Sequence, residues 1–222
     1  MSLTQIQPKD EAQAKTRRLL LEAAGEVFAE VGFRSATVRE ICLRAGANIA
    51  AVNYHFGDKE RLYAEVLRYS QTQALTKYPP NLGLKANAPA AEGLRAFVRS
   101  FLLRIFDEGP IAWHGKLMSR EMIEPTEALG ALIEEKIRPQ SDQLQKIVRA
   151  LLGGKPSPEL VRLCGCSVVS QCLFYHHCRP VVQKLFPGQK FDAAGIEQLA
   201  GHITQFSLAA LQQLAKSRPA QK

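Results

Sequence analysis

The stretch TVREICLRAGANIAAVNYHFGDKERLYAEVL, residues 37–67, decides how the N-terminal part of the chain folds. Thr37 and Glu40 form a Ser/Thr-x-x-Glu capping box, in which hydroxyl and carboxylate satisfy free backbone amides, so a helix begins here. Ala45-Gly46 ends that helix, because glycine readily adopts the left-handed conformation that closes a helix. The stretch therefore opens with a short helix and a tight turn.

A longer helix is predicted before this turn, and two more helices are predicted after it. Asn48 is a good N-cap for a short helix over 49–55, and Asp58 caps a fourth helix from Lys59 to about residue 73. Upstream, apolar residues at helical spacing predict a first helix over about 15–31. Two short helices joined by a glycine turn and packed on a longer one form the outline of a helix-turn-helix.

The rest of the chain is predicted to be helical as well. Apolar positions recur at three and four residues and give almost no strand signal. Residues 78–91 carry three prolines, two asparagines and a glycine, which indicates a linker or long loop. The predicted fold class is all-α: an N-terminal three-helix helix-turn-helix domain plus a C-terminal helical effector-binding and dimerisation bundle. The predicted divisions are a flexible arm at 1–14, the DNA-binding domain at 15–60, the regulatory and dimerisation domain at 61–216 and a frayed tail at 217–222.

Composition fits a globular protein with a polyanionic partner. The 222 residues are 46% hydrophobic and 23% charged, with 29 Lys and Arg against 21 Asp and Glu, a formal charge of +8. Residues 1–70 hold 10 basic and 9 acidic side chains, so +7 of that charge lies in residues 71–222. A net positive charge indicates which partners a protein can associate with, but it does not indicate the fold. Any argument for DNA binding must therefore rest on particular positions rather than on a basic tail.

The sequence also predicts a cytoplasmic location without a membrane segment. The first 18 residues are polar and lack the apolar core of a secretory signal. The most apolar stretch, residues 163–175, is about 13 residues long, whereas a span needs about 20. The five cysteines are an odd number without a framework spacing, which favours reduced thiols.

The third helix is the predicted reading element. In a helix-turn-helix the second helix of the motif enters the major groove, where asparagine can bond adenine and small alanines approach a thymine methyl. Phosphate contacts from the helix ends fix register without reading sequence. The alternative is that the aromatic residues are core and that Thr37 only caps. The predicted DNA-binding residues are Thr37, Arg39, Asn48, Ala50, Ala51, Asn53, Tyr54, His55 and Lys59.

These residues resemble the N-terminal signature of the TetR family of bacterial repressors. The resemblance covers about residues 15–65 and includes Thr37, the Ala45-Gly46 turn, the Tyr54-His55-Phe56 triplet, Lys59 and Tyr63. The segments KLMSREMIEPTEAL, IRPQ and QCLFYHHCRPVV look like the regulatory domain of the CecR-type subgroup. Recognition helices of the family usually begin Ser-Lys-Gly, whereas this one begins Asn-Ile-Ala-Ala from Asn48, which shifts the expected phosphate contacts to its C-terminal end.

The resemblance implies a homodimer that binds a pseudo-palindromic double-stranded DNA operator and is released by a small organic effector. Two-fold symmetry maps onto inverted half-sites spaced by helical turns. The helix after Ser157 is apolar on most sides and, with the last helix, is the predicted dimer interface; the alternative is a central helix of a monomeric bundle. The predicted interface residues are Val161, Gly165, Val168, Val169, Cys172, Ile203, Phe206 and Ala210.

An effector pocket is predicted around a short segment between two proline breaks. Its aromatic, thioether and charged side chains suit an apolar cavity with a few orienting polar groups, and the alternative is plain core packing with Arg120 and Glu121 in structural ion pairs. The predicted pocket residues are Phe97, Phe101, Ile105, Trp113, His114, Leu117, Met118, Glu121, Phe174 and His177.

Two further functions remain open. Cys164, Cys166, Cys172, His176, His177 and Cys178 could make a metal- or thiol-redox-responsive regulator, although Cys-x-Cys on a helix points its sulfurs apart. The second open function is that of a helical protein-interaction module that does not bind DNA. No nucleophile elbow, phosphate loop or zinc-protease motif is present, so no enzyme activity, catalytic residue, metal or cofactor is predicted.

Overall fold

The computed structural model describes residues 8–217, with side chains described from Asp10 onward. Within that range the chain forms helices and turns without a β-strand, which confirms the all-α prediction. The helices are α1 (Pro8–Ser35), α2 (Val38–Ala45), α3 (Ile49–Phe56), α4 (Lys59–Lys77), α5 (Ala90–Ile105), α6 (Trp113–Ile123), α7 (Ala128–Leu132), a π-helical turn (Ile133–Ile137), α8 (Arg138–Leu152), α9 (Pro158–His177), α10 (Arg179–Leu185) and α11 (Ala193–Lys216).

The described chain divides into two compact units. The N-terminal unit comprises residues 8–73 and 108–133, and the C-terminal unit comprises residues 74–107 and 134–217. Helices α6 and α7 thus pack with the first four helices, although they lie between α5 and α8 in sequence. The two units are defined by packing and not by function. The division into a DNA-binding domain at 15–60 and a regulatory domain at 61–216 therefore stays a prediction.

The N-terminal unit is built on α1, against which α2, α3 and α6 pack. Its core contains the fully buried side chains Leu20, Val27, Phe28, Ile41 and Leu62. Burying a large apolar side chain stabilises the fold by about 1.5–3 kcal/mol, so this cluster fixes the position of the shorter helices.

The C-terminal unit is a bundle in which α5, α8, α9 and α11 pack on one another. Its core takes residues from every one of these helices, among them Leu94, Val148, Val161, Leu199 and Ile203. One side of α9 packs in this core, and its other side is exposed to solvent.

The predicted N-caps are present, although the Thr37–Glu40 capping box is only half formed, because the Glu40 carboxylate lies near Arg44 at 3.6 Å and does not accept from the Thr37 amide. Thr37, Asn48, Ser157 and Asp192 each accept a hydrogen bond at a helix N-terminus from a backbone amide two or three residues ahead. The amide of Arg61 likewise donates to the Asp58 carboxylate at 2.7 Å. These caps satisfy amides that a helix leaves free.

The start of α1 differs from its prediction. The helix begins at Pro8 rather than near residue 15, because proline is tolerated in a first turn and Asp10 and Glu11 favour the positive end of the helix dipole. Residues 8–14 of the predicted arm are therefore helical, whereas residues 1–7, and 218–222 of the predicted tail, lie outside the described part. Gly32, at φ 82° and ψ 166°, interrupts α1 near the predicted end.

Among residues 8–217, none of the helices combines the length and the apolar character that crossing a bilayer requires.

Candidate nucleic-acid interface

The turn between α2 and α3 sets the relative orientation of these two helices. Gly46 adopts the left-handed conformation at φ 63°, and its amide donates to the carbonyl groups of Cys42 and Leu43. A side chain at this φ would be strained, which explains the glycine. The amide of Ala47 also donates to the Cys42 carbonyl at 2.9 Å. The turn is thus closed by its own backbone.

Helix α3 has one buried side and one exposed side. Val52 and Phe56 face the core, and the guanidinium of Arg17 lies 5.2 Å from the centre of the Phe56 ring. The opposite side carries Asn53 and Tyr54, which are both exposed, Tyr54 to 70%. Because two apolar anchors hold it from below, α3 presents a defined row of side chains to solvent.

The predicted DNA-binding residues fall on this exposed side and around it. Thr37, Arg39, Asn48, Ala50, Asn53 and Tyr54 are exposed, while Ala51, His55 and Lys59 are half-buried. The rings of Tyr54 and His55 meet edge to face at 4.9 Å. The side-chain oxygen of Asn48 accepts from the Ala50 amide at 3.0 Å, which leaves its amide nitrogen to reach outward. Six of these nine residues are thus exposed, and their role in DNA binding stays a prediction.

Lys59 has a structural task that its spacing did not reveal. Its Nζ donates to the carbonyl groups of Phe33 and Ala36, both at 3.1 Å, and lies 4.6 Å from the Phe33 ring centre. An ammonium has three donors, so one remains for a phosphate. Lys59 therefore ties the start of α4 to the segment that leads into α2.

A second cation, Arg44, ties α2 to α1. Both of its terminal nitrogens donate to the Glu30 carboxylate at 2.9 Å, and this pairing lowers the pKa of Glu30. A bidentate pair fixes orientation better than a single contact does. The helix-turn-helix is thereby fastened to its supporting helix at its outer end as well as through the core.

The predicted effector residues on α6 are all in the N-terminal unit. Trp113, His114, Leu117 and Glu121 are buried there, and Met118 Sδ accepts from a side-chain amide of α4. His114 Nδ1 lies 3.1 Å from Ser70 Oγ. These side chains pack against α1 and α4 of their own unit, which is the arrangement of a core.

Trp113 reaches the backbone of α1 because residue 25 lacks a side chain. A Cβ at Gly25 would lie 2.4 Å from the indole ring. The indole Nε1 is buried and has no hydrogen-bond partner among the described residues. Gly25 is therefore a close-approach glycine that lets α6 seat directly on α1.

Glu121 is the centre of a buried hydrogen-bond network. One carboxylate oxygen accepts from the Tyr63 hydroxyl at 2.8 Å, and the other accepts from the amide and the hydroxyl of Thr126, both at 3.0 Å. Burial, followed by the hydrogen bond to Glu121, raises the pKa of Tyr63, which keeps this phenol a donor. The neighbouring Arg120 points elsewhere, to the carbonyl groups of Ala29 and Glu30 at 2.9 and 2.7 Å.

The other half of the predicted effector set belongs to the C-terminal unit. Phe97 is buried, Phe101 and Ile105 are half-buried, and Phe174 and His177 are exposed. The rings of Phe97 and Phe101 stack with centres 6.3 Å apart. An open groove of about 600 Å³ lies between α5 and α11 in this unit, and its lining includes none of these five residues.

One charged residue beside these rings escaped the sequence prediction. Arg104 is buried in the C-terminal unit, with its guanidinium carbon 5.5 Å from the centre of the Phe101 ring. A signal was available, because residue 104 follows Phe101 by three and Phe97 by seven, and such spacings share a helix face. The pattern of α5 therefore contained a charge inside its apolar stripe.

The predicted dimer residues divide between core and surface. Phe206 is 61% exposed, Ala210 is exposed and Val169 is half-buried. The other five pack in the core of this chain, so they do not present side chains to a second copy: Val161, Gly165, Val168, Cys172 and Ile203. The apolar character of α9 conceals which side faces inward, because small and apolar residues occur on both sides. Its exposed stripe runs instead through Leu163, Ser167, Ser170 and Phe174.

The five cysteines are free thiols. Burial raises the pKa of Cys172 to about 12 and also raises the pKa of Cys164, so neither is a reactive thiolate at neutral pH. Across residues 8–217, no three His, Cys, Asp or Glu side chains lie grouped as metal ligands. Cys164 and Cys172 therefore do not support the redox alternative, while Cys166 is an exposed free thiol and Cys178 is half-buried.

Comparison with protein families gives two matches along the chain. Residues 20–66 match the family of bacterial regulatory proteins described as the tetR family, and residues 90–211 match the C-terminal domain of the HTH-type transcriptional dual regulator CecR. CecR of Shigella flexneri is 31% identical over 153 residues, which are 63% of this chain and 66% of CecR. The HTH-type transcriptional regulator UidR of Escherichia coli (strain K12) is 37% identical over 63 residues, 28% of this chain and 32% of UidR. The chain thus spans just under two thirds of CecR and about a third of UidR.

Solved structures share the fold at low sequence identity. AibR, crystallised in complex with isovaleryl coenzyme A and operator DNA, superposes with a TM-score of 0.65 at 17% identity, over 86% of this chain and 97% of that one. A transcriptional regulator of Pseudomonas aeruginosa PAO1 gives 0.65 at 18% identity, over 95% and 97%. At such identities the likeness establishes the fold alone.

Proposed function

Because the chain belongs to the TetR family of bacterial regulatory proteins and carries a C-terminal domain of the CecR type, we propose that it is a transcriptional repressor. It binds a pseudo-palindromic operator as a homodimer in the cytoplasm and is released by a small organic effector. The observation that carries this proposal is the exposed side of α3, held up by Val52 and Phe56 and closed at its start by the Gly46 turn.

The surface of α3 supplies both kinds of contact that operator binding needs. Asn53 and the free amide nitrogen of Asn48 can bond base edges, while Ala50 allows close approach to the groove floor. Thr37, at the N-terminus of α2, and the Tyr54 hydroxyl suit phosphate oxygens. The face therefore combines base readout at its centre with phosphate contacts at its ends.

Exposed apolar side chains on the C-terminal unit support the homodimer. Leu163 and Phe174 on α9, and Phe206 and Leu214 on α11, are between 38% and 61% exposed. Large exposed apolar side chains on helices that pack together are typical of interaction sites. A second copy seated on these stripes would complete a four-helix interface, in place of the buried residues predicted from the sequence.

Effector release is a matter of differential affinity. A ligand weakens operator binding only by as much as it prefers the arrangement that does not bind DNA, typically about 1–3 kcal/mol. AibR, whose structure holds isovaleryl coenzyme A and operator DNA, shows both kinds of ligand on one protein of this fold. For this chain the effector site is assigned to the C-terminal unit.

Operator binding is tested with fluorescently labelled DNA from upstream of the chain's own gene. We expect the wild type to bind a site there, and Asn53→Ala to relax base preference at one operator position by about 1–3 kcal/mol. Asn87→Ala, which changes an exposed asparagine of the 78–89 loop, is the matched control and should bind like the wild type. Unchanged preference in the Asn53 variant would remove α3 as the reading element.

The homodimer is tested by sedimentation of a charged variant. Phe206→Glu places a carboxylate in the proposed interface, so we expect a monomer with reduced operator affinity. Leu185→Glu, on the exposed side of α10, is the control and should remain a dimer. A wild-type protein that stays monomeric at micromolar concentration would contradict this part of the proposal.

A further inference from the structure

Arg104 is a buried cation in the interior of the C-terminal unit. The residue is 4% exposed, and its Nη1 is buried without a hydrogen-bond partner among residues 8–217. Its described contact is the face of the Phe101 ring, 5.5 Å from the guanidinium carbon. A guanidinium has five N–H donors, and a ring face satisfies none of them as a carboxylate would.

The groups around Arg104 do not neutralise it. Cys172 is the ionisable side chain that acts on it electrostatically, and burial raises the pKa of that thiol to about 12, so it is uncharged. Asp107, three residues further on, accepts through Oδ1 from Lys77 Nζ at 2.6 Å and from the Tyr78 hydroxyl at 3.4 Å, while its Oδ2 is buried without a hydrogen-bond partner among the described residues. Neither oxygen of this carboxylate forms a hydrogen bond or ion pair with Arg104 in the described part of the chain. Desolvation lowers the pKa of Arg104 to about 10, which still leaves it charged at neutral pH.

A buried charge without a counter-charge opposes folding, because it forfeits hydration without gaining an ion pair. The surface arginines of the same helix show the ordinary alternative: Arg95 and Arg99 both donate to Glu197, at 2.8 and 2.5 Å. Packing alone gives no reason for a cation at position 104, where a methionine or leucine would fill the space. An anionic ligand that enters this interior supplies the missing counter-charge.

We propose that the C-terminal unit binds a small organic anion whose carboxylate-type head pairs with Arg104 and whose apolar body lies against Phe97 and Phe101. A planar guanidinium binds a carboxylate through two parallel hydrogen bonds, and the stacked rings offer the apolar wall. Phe101 is half-buried and contacts the buried guanidinium, so we place the entry of the ligand at the Phe101 ring. The regulatory meaning of this site rests on the function proposed above, but its chemistry does not.

The test is a comparison of charged ligands with uncharged ones of the same shape. Octanoate and hydrocinnamate, each against its primary amide, are titrated calorimetrically into the full chain. We expect each carboxylate to bind about tenfold or more tightly than its amide, the difference that a charge-assisted pair typically makes. Equal affinity of acid and amide, or no binding of either acid, would overturn the proposal.

Variants show whether Arg104 is the source of the preference. Arg104→Met should bind acid and amide equally, and Arg104→Lys, which keeps the charge and loses the fork, should retain part of the preference. Arg99→Met removes the same charge from the exposed side of the same helix and should keep the wild-type preference. A preference that survives in Arg104→Met would refute the assignment.

Operator binding by the same preparations separates the two proposals. An Arg104→Met protein that binds operator normally but no longer distinguishes acid from amide supports the anion site. A wild type that distinguishes acid from amide yet binds no DNA would refute the proposed repressor function and leave the anion site standing.

Discussion

Glu121 in the N-terminal unit and Arg104 in the C-terminal unit are both buried, but in very different surroundings. Glu121 in the N-terminal unit is 0% exposed, and its two oxygens accept three hydrogen bonds. Arg104 in the C-terminal unit is 4% exposed, and its buried Nη1 has no partner among the described residues. A buried charge with hydrogen-bond partners stabilises the fold, whereas one without them opposes folding unless a counter-charge is supplied. This difference supports a structural role for α6 and agrees with the binding role proposed above for α5.

Removing the satisfied carboxylate should have the largest effect. Glu121→Leu leaves the hydroxyl of Tyr63 and the amide and hydroxyl of Thr126 without an acceptor. Since a hydrogen bond to a charged group contributes about 1.5–3 kcal/mol, we expect a loss of roughly 3 kcal/mol or more in the free energy of unfolding. Trp113 is the single tryptophan and lies buried in the same unit, so its emission reports the transition.

Glu124→Leu is the matched control, because Glu124 is exposed one turn further along. Exposed substitutions usually change stability by less than about 0.5 kcal/mol. If Glu121→Leu cost no more than this control, the network around Glu121 would not be fastening α6, and the first half of the comparison would fail.

Local features of the fold could be predicted, because cause and effect are close in sequence. The caps at Thr37, Asn48 and Asp58 each join residues two or three apart, so a short stretch contains the whole interaction. The exposed face of α3 follows in the same way, since fixing its two ends also fixes which residues face the core.

Long-range packing could not be predicted, because one sequence does not show which helix faces which. Trp113 sits on Gly25, and Arg120 reaches the carbonyl of Ala29 across 91 residues. The aromatic and charged character of α6 is equally typical of a pocket and of a core. The sequence therefore predicted Glu121 as a residue of the effector pocket. It did not predict a role for Arg104, which interrupts the apolar stripe of α5.

A smaller effect is expected from the protonation of His176 in the C-terminal unit. Desolvation, with the charges of His177 and Arg179 nearby, lowers the pKa of His176 from 6.5 to about 4. A lowered folded pKa means that the unfolded chain binds the proton first, so stability is full above pH 6.5 and falls as the pH drops toward 4. Because His176 is partly exposed, we expect about 1–2 kcal/mol in this window.

His176→Gln cannot take up the proton, so its midpoint of thermal unfolding should change less across this window than that of the wild type. His202→Gln, an exposed histidine of α11, is the control and should keep the wild-type pH profile. A His176→Gln profile identical to the wild type would show that folding does not lower the pKa of His176.

The smallest expected change is in the stability of the Arg104→Met variant. Without ligand, Arg104→Met keeps the aliphatic stem and removes a charge that nothing described neutralises, so the free energy of unfolding should stay within about 1 kcal/mol of the wild type or rise. Urea unfolding followed by far-UV circular dichroism measures this, with Arg99→Met as the control that breaks an exposed ion pair for about 0–1 kcal/mol. Breaking a buried ion pair typically costs about 3–5 kcal/mol. A loss of that size in Arg104→Met would mean that the protein itself supplies the counter-charge, and Arg104 would then resemble Glu121 as a fastening group with no need of an anion.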